Sequence, residues 1–322
     1  MNDFPKVSIL VPVYNRERLI YETLNSGINQ TYKNIELIVV DNKSTDNTYG
    51  IITEFAKSYP NVKTYQNEAN IGPVKNWSKC LAYAKGEYVK ILWSDDLIAP
   101  TFTEKALPYL IHYEDVAFVF TGTEIFNDNT GQKTKAYFIG DTGIYDTRTF
   151  IEGCLIGGPF PLSPGNALFR KKDLEKNLLL DIPNKIGSDF KMHAVGNDVL
   201  IYLLIARDYP KFAFINETLS HFRYHSDSIS ISLNKANLSF LYSLAEAYFV
   251  ENYVQDEQLK TKFNAKLLAV SLRHGWKKNA IIRSLKDYYF AECSIKVDWR
   301  FFASLIMNKI FQRQNRNAIN NS

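Results

Sequence analysis

The stretch VSILVPVYNRERLIYETLNSGINQTYKNIELIVVDNKSTDNT, residues 7–48, decides the fold class of this chain. It begins with a β-branched run over 7–13, continues with helical spacing of apolar residues over 18–30, and returns to a continuous apolar run over 35–40. A continuous apolar run is typical of a parallel strand that helices cover on both faces. The alternation therefore predicts a βαβ unit with a right-handed crossover.

The same alternation continues to about residue 100. Helical patterns occupy 48–58 and 74–85, and short strand patterns occupy 62–66 and 88–93. Successive strands joined by helices pair in parallel, so we expect an α/β fold with a mainly parallel, Rossmann-like central sheet flanked by helices.

The middle of the chain is more mixed. A strand is predicted over 116–125, with a turn at 127–131 that indicates a hairpin. Two further short strands are predicted over 212–215 and 219–224. After that the pattern is helical to the end, which predicts two regions, 1–230 and a helical extension over 231–322.

The composition excludes several classes of protein. A chain of 322 residues with 46% hydrophobic residues can bury a full core, and its three cysteines show no paired or CxxC spacing. We therefore expect neither a disulfide framework nor a structural zinc site. No apolar run reaches the roughly 18 residues of a spanning helix, and the first six residues do not resemble a signal peptide. These patterns predict a cytoplasmic protein that is soluble or peripheral.

The positive charge is concentrated near the C-terminus. Residues 273–322 contain ten Lys and Arg against three Asp and Glu, whereas residues 1–272 contain 28 against 31. A basic segment suits nucleic acid, an anionic membrane or an acidic partner.

Polar clusters follow three of the predicted strands. These are Tyr14-Asn15, the segment 41–46 and Ser94-Asp95-Asp96. A single Asp after a strand usually caps the next helix, but ligands of parallel α/β sheets bind at the carboxyl ends of strands. Three clusters at one edge of the sheet predict a ligand site.

Asp95 and Asp96 are adjacent carboxylates after a buried strand. They repel each other unless a positive group lies beside them, and a divalent cation bound with a diphosphate is such a group. The alternative is an exposed turn before a helix.

Three ordered blocks, together spanning about residues 5–231, resemble family 2 glycosyltransferases, the inverting sugar transferases with the GT-A fold. The first is the opening stretch. The second is NIGPVKNWSKCLAYAKGEYVKILWSDDLIAP, residues 70–100, and the third is GNDVLIYLLIARDYPKFAFINETLSHFRYHSDSIS, residues 196–230. The third block is similar to the family's E-D motif followed by R-x-H-x-x-S-x-S.

The resemblance implies a role for each matching residue. The implied metal ligands for Mn²⁺ or Mg²⁺ are Asp96 and His225, and the implied general base is Asp198. Asp41 is implied to bind the N3–H of uracil or thymine. The implied nucleotide-binding residues are Pro12, Tyr14, Asn15, Asp41, Asn70, Gly72, Asn76 and Asp95.

Each of these residues also has a structural interpretation. Asp198 opens an apolar helix, where a carboxylate is a natural cap. His225 is a lone histidine, and Asn70, Gly72 and Asn76 suit a turn and a helix cap. The loop over 157–165 borders the acceptor cleft if its position near the third block is a guide.

The chain departs from the family pattern at three positions. Lys43 stands at the turn glycine of D-D-G-S, Ser94 is not preceded by an Asp, and Asn197 stands at the Glu of E-D. No Q-x-x-R-W occurs, which argues against a processive synthase.

The resemblance predicts transfer of one sugar from a UDP- or dTDP-sugar donor to a glycan acceptor. The expected acceptor is linked to polyprenyl diphosphate, as in O-antigen, capsule or wall polymer synthesis. The alternatives are a catalytically impaired binding protein with this fold and a sugar nucleotidyltransferase. The latter would need a Gly-rich phosphate loop after the first strand, and VPVYNRERL has no glycine.

The resemblance also narrows the partners of the basic C-terminal region. The body of the chain is slightly acidic, and nothing in it resembles a nucleic-acid module, so we expect no nucleic-acid partner. Aromatic residues among the Lys and Arg suit a helix on an anionic bilayer at the inner face of the membrane, or helices packed on the catalytic domain. They are Trp276, Tyr288, Tyr289, Phe290, Trp299, Phe301, Phe302 and Phe311.

Overall fold

The computed structural model describes residues 4–225, 228, 235–274, 282–291 and 294–308. Ten strands form one sheet: β1 (Val7–Val13), β2 (Ile35–Asp41), β3 (Val62–Gln66), β4 (Tyr88–Ile91), β5 (Leu97–Ile98), β6 (Val116–Phe126), β7 (Lys133–Ala136), β8 (Gly143–Asp146), β9 (Ala167–Arg170) and β10 (Lys211–Arg223).

The helices are α1 (Ile20–Ile28), α2 (Thr48–Lys57), α3 (Pro73–Tyr83), α4 (Phe102–His112), α5 (Thr147–Ile156), α6 (Lys171–Asn177), α7 (Phe190–His193), α8 (Asn197–Asp208), α9 (Lys235–Tyr253), α10 (Glu257–His274) and α11 (299–308). Short 3₁₀ turns lie at Pro164–Asn166 and Leu285–Tyr288.

The strand order is β3-β2-β1-β4-β9-β6-β10-β5, with β7 on β6 and β8 on β10. β1, β2, β3 and β4 pair in parallel, as do β6 and β10, which confirms the predicted mainly parallel sheet. β9 runs antiparallel between β4 and β6, so the sheet is mixed at its centre.

Both faces of the sheet are covered by apolar layers. Ile9 and Val11 of β1 face one buried cluster with Phe102, whereas Leu10 faces the other with Phe120. Because successive side chains of a strand point to opposite faces, this burial requires the largely apolar runs of β1 and β2. The polar residues within them, Ser8 and Glu36, hydrogen-bond each other at 2.7 Å.

The structure corrects the prediction of two strands at 212–215 and 219–224. A single strand, β10, runs through both, with shifted register between Ile215 and Thr218. The exposed polar pair Asn216-Glu217 resembles a turn in sequence, but a bulge keeps the backbone in the sheet. The predicted hairpin at 127–131 is confirmed by the pairing of β6 with β7.

α8 is buried on every side from Asn197 to Ala206. Its Tyr202 packs edge-on to Phe118 of β6, and the Tyr202 hydroxyl donates to Asn166 Oδ1 at 2.7 Å. A helix that is apolar all round is a core element. Its N-terminus is therefore held firmly against the sheet.

The hydrophobic core crosses the predicted boundary near residue 230. Phe240 and Leu244 of α9 belong to the same buried cluster as Val199 and Leu203 of α8. Among the aromatic residues of the basic region, Trp276 and Phe311 lie outside the described residues. None of the helices in the described part of the chain combines the length and apolar character needed to cross a membrane.

Candidate active site

The polar loops after β1 and β2 are joined by hydrogen bonds. The Asn15 amide N–H donates to Ser44 Oγ at 2.9 Å, and Asn15 Oδ1 accepts from the Thr45 amide at 2.8 Å. Asn15 and Lys43 both have left-handed backbone, with φ of 51° and 64°. Lys43 thus adopts the backbone conformation that is typical of a turn glycine. This conformation is higher in free energy for a residue that has a Cβ.

Asp41 lies at the end of β2 with no exposed surface. Its carboxylate accepts from the Ser44 amide at 3.0 Å, from Gln66 Nε2 at 2.9 Å and from the Ser44 hydroxyl. These contacts hold the turn that carries Lys43. A direct contact of Asp41 with a base stays a prediction.

A network of side-chain amides supports the loop before α3. Asn42 Nδ2 donates to Asn70 Oδ1 at 2.8 Å, and Asn67 Nδ2 donates to Asn42 Oδ1 and to Asn76 Oδ1 at 3.0 and 2.9 Å. Asn76 in turn donates to the Val40 carbonyl at 2.9 Å. Asn42 and Asn67 were not predicted as site residues, because hydrogen bonds between side chains of separate loops leave no recognisable spacing in the sequence.

Gly72 has a φ of 83° and begins α3. A Cβ on Gly72 would lie 2.8 Å from the Lys191 carbonyl oxygen and from Met192 Sδ. Only a glycine at this residue therefore allows α7 to pack so closely. Pro12 is buried and lines an apolar crevice with Trp77, whereas Tyr14 is 39% exposed.

Asp95 is held by two basic groups. His225 Nε2 lies 2.9 Å from Asp95 Oδ2, and Arg16 Nε lies 3.4 Å from the same oxygen. Burial opposes ionisation of Asp95, but the hydrogen bond from His225 and the charge of Arg16 outweigh it and lower its pKa. Two residues of the predicted site, Asp95 and His225, are thus in contact.

Asp96 is buried beside Asp95, and its Oδ1 accepts from the Arg223 amide at 2.9 Å. The Arg223 guanidinium donates to the Asp95 carbonyl and bonds Glu22 at 2.7 Å. Burial, and then the charge of Asp95, raise the pKa of Asp96 well above its usual range. The charges of Lys90 and Arg223 oppose this rise in the pKa of Asp96.

These residues fit a divalent cation that shares its shell with a ligand. Among the described residues, no group of three or more His, Cys, Asp and Glu side chains is arranged to hold a metal alone. Mg²⁺ is usually held by one or two carboxylates together with substrate phosphates, and a cation would favour the ionised form of Asp96.

Asp198 lies in the first turn of α8. Its Oδ1 accepts from the amides of Gly196 and Val199, both at 2.9 Å, and its Oδ2 accepts from the Tyr242 hydroxyl at 2.7 Å. Burial raises the pKa of Asp198 to about 6, although the hydrogen bonds from Tyr242 and the two amides oppose the shift. Asp198 can therefore bind backbone amides at the start of α8 and also act as a base.

Asn197 occupies the position of the family's Glu. It is buried, and its Nδ2 donates to the Leu179 carbonyl at 2.9 Å. Its Oδ1 has no hydrogen-bond partner among the described residues. Asn197 therefore ties α8 to the preceding loop without adding a charge beside Asp198.

Sequence reasoning missed Tyr137, in the connection between β7 and β8. Its φ is 62°, and its ring packs at 6.4 Å from Phe222, next to Arg223. Burial raises the pKa of Tyr137, and the charges of Asp198 and Asp96 raise it further. The phenol therefore lies within electrostatic reach of both carboxylates. A bulky residue in left-handed backbone marks a strained position, and such positions concentrate at functional sites.

The loop over 157–165 reaches the end of β4. The Trp93 indole N–H donates to Ser163 Oγ at 2.8 Å, and a Cβ on Gly165 would lie 2.6 Å from Trp93 Nε1. Trp93 stands where the family pattern has an Asp before Ser94. Its indole orders this loop instead of supplying a metal ligand.

Strands β1 to β4, with polar loops at their carboxyl ends and a carboxylate pair after β4, define an α/β fold of the GT-A type. Staphylococcus aureus TarS, residues 1–349, in a crystal structure in complex with UDP-GlcNAc, matches this fold with a TM-score of 0.63. The match covers 84% of this chain and 75% of that chain at 21% identity.

The family model described as glycosyl transferase family 2 matches residues 8–178, just over half of the chain. The chain therefore belongs to glycosyl transferase family 2, as predicted. The minor teichoic acid biosynthesis protein GgaB of Bacillus subtilis is 29% identical over 238 residues, which is 71% of this chain and 24% of that protein.

A second relative is WfgD of Escherichia coli, a UDP-Glc:alpha-D-GlcNAc-diphosphoundecaprenol beta-1,3-glucosyltransferase. It is 34% identical over 130 residues, which is 40% of this chain and 50% of that protein. The chain thus spans half or less of the length of these two curated relatives.

Proposed function

We propose that this protein is an inverting glycosyltransferase that moves one sugar from a nucleotide-diphosphate donor to a hydroxyl of a glycan acceptor. The observation that carries the proposal is the difference in surroundings between Asp198, at the start of α8, and the pair Asp95-Asp96 after β4. Asp198 has a pKa of about 6, whereas Asp95 and Asp96 lie at the end of β4 beside Arg16 and His225. When the surroundings of two carboxylates give them different pKa values, one can act as an acid or base while the other binds charge.

The donor nucleotide is proposed to bind over the loops after β1 and β2. Tyr14 and Asn15 lie at the rim there, next to the buried turn of Asp41. UDP- and dTDP-sugars are the favoured donors, because the family resemblance assigns Asp41 to the base N3–H. The diphosphate then extends to Asp95 and Asp96.

Asp96 with His225, supported by Asp95, would hold Mn²⁺ or Mg²⁺ on the diphosphate. Such a cation neutralises the charge that develops on the leaving nucleoside diphosphate. Arg16 pairs with the Asp95 side chain, and Arg223 donates to the Asp95 carbonyl, so both residues orient Asp95.

Asp198 is proposed as the general base. With a pKa of about 6 it is ionised at neutral pH and still basic enough to take the proton of the attacking acceptor hydroxyl. Attack of that oxygen on the anomeric carbon forms the new glycosidic bond as the bond to the diphosphate breaks. One displacement inverts the anomeric centre.

The acceptor is proposed to be a surface-polysaccharide intermediate linked to polyprenyl diphosphate, in the synthesis of O-antigen, capsule or wall polymer. The names of GgaB, a minor teichoic acid biosynthesis protein, and of WfgD, which acts on a diphosphoundecaprenol-linked sugar, support this class. The enzyme would then act in the cytoplasm, peripherally at the inner face of the membrane. Phe290, Trp299 and Met307 are exposed apolar residues near Lys296 and Arg300 that suit an anionic bilayer.

The membrane contact has a direct test. Replacing Phe290 and Trp299 by Ser should lower co-sedimentation with anionic liposomes, whereas Tyr113→Ser, at an exposed aromatic remote in sequence, should not. Equal binding by both variants would contradict the contact.

Donor binding and catalysis are tested separately. UDP with Mn²⁺ should raise the melting temperature more than ADP or GDP with Mn²⁺, since binding to the native state alone stabilises it. Asp198→Asn should keep this shift and lose sugar transfer. A variant that binds UDP but transfers normally would exclude Asp198 as base, and no shift with any nucleotide would favour an interaction protein that retains only the fold.

A further inference from the structure

The general base proposed above is completed by a helix beyond the family-matched segment. Tyr242 belongs to α9, and its hydroxyl donates to Asp198 Oδ2 at 2.7 Å. The family model matches residues 8–178, so Asp198 and Tyr242 both lie in a part of the chain that the match does not include.

The hydrogen bonds of Asp198 leave one of its carboxylate oxygens, Oδ2, able to accept a further proton or hydrogen bond. Oδ1 already accepts two backbone N–H groups, from Gly196 and Val199. A carboxylate has about four acceptor positions, two on each oxygen. Oδ2 accepts only from Tyr242 among the described residues, so one position of Oδ2 stays available for a substrate proton.

The backbone next to Asp198 is shaped to admit α9. Gly196 has a φ of 104°, and a Cβ there would lie 2.6 Å from Ala245 Cβ and 3.4 Å from the Leu241 carbonyl. Leu241 and Ala245 flank Tyr242 on the facing side of α9, one residue before it and three after it. The absence of a side chain at Gly196 thus brings the Tyr242 hydroxyl to the carboxylate.

α9 is anchored independently of this contact. Phe240 and Leu244 are buried in the main core, and Glu246 pairs with Lys266 of α10 at 2.6 Å. The Tyr242 hydroxyl is therefore presented by a packed helix. A fixed donor orients its acceptor with little further loss of conformational entropy.

We propose that Tyr242 is the positioning residue of this enzyme, which holds Asp198 Oδ2 in the orientation that accepts the proton of the acceptor hydroxyl. The proposal rests on the proposed function of Asp198. It makes α9 part of the catalytic machinery, so the helical region over 231–322 contributes to chemistry and not only to packing.

The other titratable groups around Asp198 are accounted for. The charges of Asp198 and Asp96 both act on Tyr137 in the β7–β8 connection. Tyr202 lies on α8, Cys154 on α5 and Glu246 on α9. Burial raises the pKa of Tyr202, Tyr242 and Cys154, so these three stay protonated at neutral pH, and Glu246 is compensated by Lys266. Tyr242 is therefore a permanent donor to Asp198 over the working range of pH.

The test is Tyr242→Phe, which removes one hydroxyl and keeps the ring. A donor to a carboxylate favours its ionised form, so its loss should raise the pKa of Asp198 by about one unit. The acid limb of kcat/KM should move up by the same amount. Below the limb this shift lowers activity about tenfold. Above the limb kcat should also stay below that of the parent, because Oδ2 is no longer held in its orientation.

The matched control is Tyr248→Phe, which removes a hydroxyl from the same helix near Tyr253 rather than near Asp198. It should leave the acid limb in place. A second readout needs no catalysis: the ¹³C carboxyl shift of Asp198, assigned by its loss in Asp198→Asn, should titrate about one unit higher in Tyr242→Phe.

The outcomes separate the two levels of the proposal. Normal transfer by Asp198→Asn would overturn the proposed function and this inference with it. If Asp198→Asn is inactive but Tyr242→Phe changes neither the acid limb nor the carboxyl titration, the inference alone is wrong. An equal shift in Tyr248→Phe would likewise overturn it.

Discussion

Gly196→Ala is the change that tests how α9 meets the active site. Two costs add at this residue. A φ of 104° is a conformation that a residue with a Cβ rarely adopts, and the cost is about 1–2 kcal/mol. The new Cβ would also lie 2.6 Å from Ala245 Cβ and 3.1 Å from Phe190 Cε1, so α9 has to move outward. Overpacking of this kind costs about 1–3 kcal/mol.

The expected loss in the free energy of unfolding is therefore about 2–5 kcal/mol. Gly187→Ala is the matched control, because Gly187 also has positive φ, 69°, but a Cβ there meets nothing within 4 Å. It should lose only the conformational part, about 1–2 kcal/mol. Urea titration of both variants, followed by circular dichroism, measures the difference.

Activity gives the second half of the same test. Outward movement of α9 carries the Tyr242 hydroxyl away from Asp198, so Gly196→Ala should lose sugar transfer below neutral pH more than above it. Gly187→Ala should keep the parent pH profile. Equal stability losses in the two variants, with the same pH profile, would refute the close approach of α9 to Gly196 as the feature that positions the base.

The remaining predictions concern the carboxylates and Tyr137. Asp198→Asn should be more stable than the parent above pH 6 by up to about 3 kcal/mol, because a folded-state pKa raised from 3.8 to about 6 makes the ionised native form costly as pH rises through that window. The gain should vanish near pH 3, and a constant difference across pH in thermal unfolding would contradict the shift. Asp96→Ala should weaken stabilisation by UDP with Mn²⁺ while UDP with EDTA changes little; unchanged Mn²⁺ dependence would remove Asp96 from the cation site. Tyr137→Phe should lower transfer to the acceptor by about tenfold and donor hydrolysis much less, since the charges of Asp198 and Asp96 both act on its phenol; equal losses in the two assays would argue for a role in folding instead.

The first hundred residues were predictable because their structure is local. β1 and β3 run over the predicted residues, and α2 and β2 differ from the prediction by one residue at one end. In a parallel sheet that is buried on both faces, the central strands need mostly apolar residues, and polar residues appear where a strand ends. Asp95 and Asp96 were found on the same grounds, since they follow the apolar run that forms β4.

The candidate site was predictable only in part. His225 was assigned by resemblance, and the structure shows it 2.9 Å from Asp95, which lies 130 positions away in the chain. Asn67, Tyr137 and Tyr242 were missed, because each acts through a partner that no local pattern connects to it. The antiparallel insertion of β9 between β4 and β6 was missed for the same reason.

The sequence by itself determined the βαβ order, the sheet edge that carries the polar loops and the family. The periodicity of apolar residues and the polar residues at strand ends are properties of residues that are close in sequence. They can therefore be recognised without knowledge of the fold. Only the tertiary structure decided what surrounds Asp198. Burial at the start of α8 sets its pKa, and the close contact of α9 at Gly196 supplies the Tyr242 hydroxyl. Desolvation and long-range hydrogen bonds depend on which elements meet, and that is fixed by packing and not by sequence spacing.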